Sequence, residues 1–177
     1  MVGLIGFISV GKTCAFLGND YDKFMGVKCG HSTPSELKTQ IRKEAVNLIE
    51  NEDVDTFLVG EKGGYEIDAY DVILDIQKEY PDIQIILVIS AMSDLHEIGI
   101  GDGKQVIERR GFDDFILPPK CELGYKKLCI VYRNRYIIEN TDFIIAYNKY
   151  KGKASEFCKS AKAKGIKVIE LAKEHSS

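Results

Sequence analysis

Two short runs constrain this chain more than any other feature. Residues 83–89, Ile-Gln-Ile-Ile-Leu-Val-Ile, and residues 143–146, Phe-Ile-Ile-Ala, are apolar with almost no alternation and are bounded by polar residues. A strand with one wet face alternates apolar and polar side chains. A strand this uniform is covered on both faces, as in a parallel sheet held between two helical layers. The flanking segments supply the helices. Thr33-Pro34-Ser35-Glu36 is a capping box with proline at the first helical position. Leu37, Ile41, Ala45, Leu48 and Ile49 then share one face of a helix running to about Asn51. Residues 56–59 form the next strand, and residues 65–80 a helix that buries Ile67, Val72, Ile73 and Ile76 before Pro81 stops it. Residues 13–17 read as the first strand, 114–117 as a short one closed by Pro118-Pro119, and 166–171 as the last. Further helices are expected from near Leu123 to Asn140, and over residues 154–164. Between Ser90 and Arg110 the pattern weakens, with three glycines and a short exposed helix at residues 104–110. Strands alternating with helices give an α/β fold of three layers, a mostly parallel sheet of about six strands with helices on both faces.

With 177 residues, 45% of them hydrophobic, residues 1–177 suit a single domain with one well-buried core. A net charge of −3 supplies no global attraction for polyanions, so the acidic total counts against nucleic acid as a partner. No apolar run approaches the roughly 20 residues of a membrane helix, which gives no membrane partner. The five cysteines are odd in number and lack C-x-x-C spacing, which fits reduced thiols in a cytoplasm. Cys29 and His31 alone do not make a zinc site, so no metal is expected.

Gly6 to Thr13 fits G-x-x-x-x-G-K-S/T, the P-loop pattern. A working P-loop follows a full strand and opens a helix, whose first amides cradle phosphate. Here only five residues precede Gly6, and Cys14-Ala15-Phe16-Leu17 continues as a strand. The context therefore argues against nucleoside triphosphate hydrolysis, and Lys12 should point from a strand edge.

In an open parallel sheet the ligand crevice lies outside the carboxyl ends of the strands, where helix amino termini present free N–H groups. Two loops qualify: Gly60-Glu61-Lys62-Gly63-Gly64, and Asn148 to Lys153 ahead of the helix at Ala154. Glycines there admit a ligand to the backbone, although they also simply make turns.

The order of these motifs resembles the SLOG superfamily of Rossmann-like proteins, and within it the YpsA-like branch of bacterial proteins. The similarity spans residues 12–171 and is carried by KTCAFLGND, LVGEKGGYEIDAYDVILDIQKEYPDI, RNRYIIENTDFIIAYN and KGKASE. The resemblance implies a Rossmann-like sheet holding a nucleotide or nucleotide-derived ligand, with no resident cofactor. The matching positions are Gly18, Gly60, Gly63, Gly64, Asp68, Arg133, Asn134 and Gly152, with Asn19 and Ser155 beside them. The sequence departs from the family at Leu17-Gly18-Asn19-Asp20, which lacks its histidine and arginine, and at Gly152-Lys153-Ala154, which replaces its glycine-glycine-threonine.

Three functions are weighed. The first is a nucleotide-binding module in which both loops give backbone donors and Arg133 a charge for phosphate. The second is an N-glycosidic hydrolase similar to the Lonely Guy phosphoribohydrolases, for which Arg133 and Glu156 are the catalytic candidates; the family's full glycine-rich motif is missing. The third resembles the DNA-processing protein A branch and is single-strand DNA binding, hinted at by Tyr147, Tyr150 and the lysines at 149, 151 and 153. Homo-oligomerisation is left open.

Overall fold

The fold is taken from a computed structural model, which describes residues 11–18, 34–60, 64–91, 111–123, 126–148 and 152–171. In chain order these form β1 (Lys12–Gly18), α1 (Pro34–Glu52), β2 (Val54–Gly60), α2 (Gly64–Gln77), β3 (Gln84–Val88) and β4 (Asp114–Ile116). A 3-10 helix (Pro119–Leu123) leads to α3 (Lys126–Glu139), β5 (Phe143–Tyr147), α4 (Lys153–Ala163) and β6 (Lys167–Glu170). The sheet order is β4-β3-β2-β1-β5-β6, and every pairing is parallel. This is the expected three-layer α/β architecture.

The two uniform apolar runs behave as their composition requires. Ile85 and Leu87 face one side of β3 and Ile86 and Val88 the other, all buried. The first side is covered by α1 and α2 through Leu37, Ile41, Ala45, Leu48, Ala69, Ile73 and Ile76. The second is covered by α3 and α4 through Ile137, Ile138, Cys158 and Ala161. Each fully buried aliphatic side chain is worth about 1.5–3 kcal/mol, so both helical layers are anchored by burial.

In α2 the buried face differs from the expected one. Ile67 is exposed, because Tyr65 and Glu66 take the inward positions at the start of the helix and turn their neighbour outward. The helix also ends at Gln77, three residues before Tyr80, with its last side chain donating to the Ile83 carbonyl at 2.9 Å.

β1 is flanked by β2 and β5, so the strand order reverses there. Its amino end is sealed. Gly11 donates its N–H to Asp55 Oδ2 at 2.7 Å, Lys12 to the Asp53 carbonyl at 2.9 Å, and Thr13 to Asp142 Oδ2 at 2.9 Å. Asp113 accepts the Ile85 N–H in the same way at 2.7 Å. The Lys12 side chain pairs with Glu52 at 3.6 Å and lies over the Phe143 ring. These amides and this lysine are the groups a P-loop would turn to phosphate, and here protein acceptors hold them at the edge opposite the strand ends. Gly6 lies outside the described residues. We therefore expect Lys12→Ala to leave ATP behaviour unchanged in calorimetry; tight ATP binding that vanishes in the variant would reverse this assignment.

Candidate functional site

At the carboxyl edge, β2 ends on Gly60, and the space a side chain would fill there is taken by two charged groups. A Cβ on Gly60 would collide with the Arg133 guanidinium and the Glu66 carboxylate. These belong to opposite layers, Arg133 to α3 and Glu66 to the first turn of α2. They meet at 2.6 Å over the end of the strand, 5% and 8% exposed. Arg133 Nε donates to the Val88 carbonyl at 2.9 Å and a terminal nitrogen to Asn134 Oδ1 at 3.1 Å. Glu66 also lies where the amino end of a helix favours a carboxylate. Asn134 is buried beside Arg133, and Ser90 is buried just past the end of β3.

Over β1 the edge is closed by an aromatic ring. A Cβ on Gly18 would strike the ring of Tyr65. The Tyr65 hydroxyl crosses β1 to donate to the Ile145 carbonyl at 2.9 Å, and its ring stacks on Tyr147 with centroids 5.9 Å apart. Burial pushes the Tyr65 phenol well up, so it remains a neutral donor. Tyr147 is itself buried, so its face is not offered to a nucleobase.

The α4 side of the same edge is different. Gly152 precedes α4 in an extended conformation and provides no side-chain cap, so the first amides of an eleven-residue helix have no capping side chain. Gly152, Lys153 and Glu156 are exposed, and Ser155 is half-buried. Such a terminus accepts an anion. Asn148, at the end of β5, is turned away to Glu170 at 3.2 Å.

The sequence-derived candidates fall into separate groups. Gly60, Arg133 and Asn134 come together, but the carboxylate on Arg133 is Glu66, and Glu156 lies exposed on α4. Gly18 lies against Tyr65, and Gly64 begins α2. Gly152 and Ser155 form the start of α4. Asn19 and Gly63 lie outside the described residues, as do Tyr150, Lys149, Lys151, Cys29 and His31. Glu66 was not singled out from sequence; its only signal was an acidic residue in a helix's first turn, which is usually solvated. Asp68 faces α1, where its carboxylate meets Lys38 at 3.1 Å. Burial, then repulsion from Asp71, push the Asp68 carboxyl up to about 6. The half-exposed Lys38 is shared between Asp68 and Asp71.

Among the described residues no group of three His, Cys, Asp or Glu side chains is placed to hold a metal ion. The described cysteines are buried, and burial pushes the Cys14 and Cys158 thiols up, away from nucleophilic thiolates. Among the described residues no helix is long and apolar enough to cross a membrane.

The fold is shared with known structures. DNA processing protein A from Helicobacter pylori, studied for its single-stranded DNA binding mode, superimposes with a TM-score of 0.55 at 16% identity, covering 94% of this chain and 68% of that one. A protein from Aquifex aeolicus VF5 matches at a TM-score of 0.36 and 15% identity, covering 90% of this chain and 74% of that one, too loosely to argue from. The sequence matches no protein-family model, and no curated protein matches it.

The first of these likenesses corrects one expectation. The acidic total was counted against nucleic acid, yet the fold is one that a single-stranded DNA-binding protein uses. The physical reason is that net charge is a sum. Acids of α2 and of the turn after it are taken up by α1, with Lys38 on Asp68 and Asp71, and Arg42 on Asp75 and Glu79. Residues 153–167 carry five lysines against one glutamate, and Lys153 and Lys159 form no ion pair among the described residues.

Two outcomes follow. Arg133→Met and Glu66→Leu should each cost about 3–5 kcal/mol in urea unfolding, since each strands a buried charge, while the double variant should recover most of the loss. Additive costs would mean the two groups do not act as a pair. For Asp68, a folded pKa raised to about 6 means that its contribution is fully present below the ordinary carboxylate pKa and is lost as pH rises through about 6. Stability of the wild type relative to Asp68→Asn should therefore fall between pH 4 and pH 7, as read by paired denaturation curves.

Proposed function

We propose that this chain binds single-stranded nucleic acid along the carboxyl edge of its sheet, with a backbone phosphate at the start of α4. The observation that carries the reading is the uncapped α4 terminus, with exposed Lys153 as its first residue, beside the point where strand order reverses. Free amides, a helix dipole and a cation are what a phosphate requires, and none of them reads sequence. The shared fold with DNA processing protein A supports a polymer as the ligand. Tyr65 occupies the α2 side of β1, so the strand runs on the α4 side.

A second reading is a free nucleotide in the manner of the YpsA-like branch, or its hydrolysis in that of the phosphoribohydrolases. Its support is the buried polar group of Arg133, Glu66, Asn134 and Ser90 at neighbouring strand ends.

Fluorescence anisotropy with a labelled single-stranded oligonucleotide, repeated over a salt series, separates the two. The expected affinity falls with salt, with a slope of about 0.7 per phosphate contact in log–log form. Lys153→Glu should flatten that slope and weaken binding, while Lys12→Glu at the opposite edge should change neither. Equal binding by both variants rejects the α4 site. Binding or cleavage of a nucleoside monophosphate without retention of the oligonucleotide favours the second reading.

A further inference from the structure

The 3-10 helix and α3 bring two cysteines into one small space. The Cys121 thiol donates to the Cys129 carbonyl at 3.3 Å, and the Cys129 thiol donates to the Cys121 carbonyl at 3.6 Å. Each sulfur thus lies on the backbone of the other residue, and both side chains are buried. No role in the carboxyl-edge site uses them. Neither Cys14 nor Cys158 is placed this way.

We propose that Cys121 and Cys129 are a redox-responsive pair that closes to an intramolecular disulfide under a peroxide. One thiolate attacks a peroxide oxygen, the O–O bond breaks, hydroxide leaves, and a sulfenic acid forms. The second sulfur then attacks the first, the S–OH bond breaks, and the hydroxyl departs as water with a thiol proton. Two thiol hydrogens and two electrons pass to the oxidant, and hydrogen peroxide leaves as two waters. The oxidant reaches the sulfurs by opening the 3-10 helix, a five-residue element whose Pro119 and Lys120 are exposed. Burial pushes the Cys121 thiol up to about 11. The pair therefore reacts slowly and records sustained oxidation, unlike a low-pKa peroxidase cysteine. Cys129 lies one helical turn before Arg133, so the bond acts on the turn of α3 that presents Arg133 to Glu66.

The inference is independent of which ligand the carboxyl edge holds. Full-length protein is treated with hydrogen peroxide, quenched, alkylated under denaturing conditions and mapped by mass spectrometry. The expected product lacks two hydrogens and carries a cross-linked peptide joining Cys121 to Cys129, reversed by dithiothreitol. Cys14 and Cys158 remain alkylatable. Cys121→Ser and Cys129→Ser each abolish the cross-link, whereas Cys158→Ser keeps it. In the wild type, oxidation shifts the thermal midpoint; in Cys129→Ser the shift is lost. Full alkylation of both cysteines after peroxide, sulfinic acid at either without a cross-link, or pairing of either with Cys29 overturns the proposal.

Discussion

The ion pair between Arg133 and Glu66 is the contact on which the carboxyl half of the molecule depends. It joins the two helical layers across the end of the sheet. Burying two charges costs several kcal/mol per ion, and Coulomb attraction repays this only when the other hydrogen-bonding positions are filled. On the Arg133 side they are filled by the Val88 carbonyl and Asn134. The geometry leaves Gly60 no room for a side chain, so a residue that looks like loop punctuation is a packing requirement. Backbone flexibility is not the reason for it.

That contact and the Tyr65 ring divide the edge between them. Over β2 the two layers are clamped by charge, and over β1 a phenol reaches β5 and fills the space beside Gly18. Neither contact covers the start of α4, where Gly152, Lys153 and Glu156 are exposed. A doubly wound sheet offers a crevice on topological grounds alone. In this chain side chains fill part of that crevice.

Much of the fold was legible because its signals are local. Uniform apolar runs, the capping-box helix and the polar breaks at Asn140 and Asp142 place strands and helices without reference to distant residues. The strand order was not legible in this way, because the position of β1 between β2 and β5 depends on pairings between segments far apart in the chain. The site was legible only in part. Arg133 and Asn134 could be picked out, but Arg133's partner lies 67 residues away and no spacing rule links them. Glu156, the catalytic candidate named beside Arg133, lies exposed on α4, and the carboxylate that meets Arg133 is Glu66 of α2. Ile67 misled for a related reason: periodicity finds an apolar face, and an inward tyrosine and a buried glutamate moved it. Net charge misled by averaging over faces that ion pairing keeps apart.

The aspartates at the amino edge have a consequence for how the strands find one another. In a strand with one wet face, a slip by one residue exposes its apolar side chains, and the pattern itself forbids the error. β3 and β5 have no such protection, because a slip there replaces one buried apolar residue with another. Asp142, Asp113 and Asp55 restore the missing information. Each carboxylate accepts a backbone amide on a neighbouring segment, at Thr13, Ile85 and Gly11. A strand displaced by one position would carry that amide away from its carboxylate. Alignment in this sheet is thus written at its entry points, in polar residues that contribute nothing to the core.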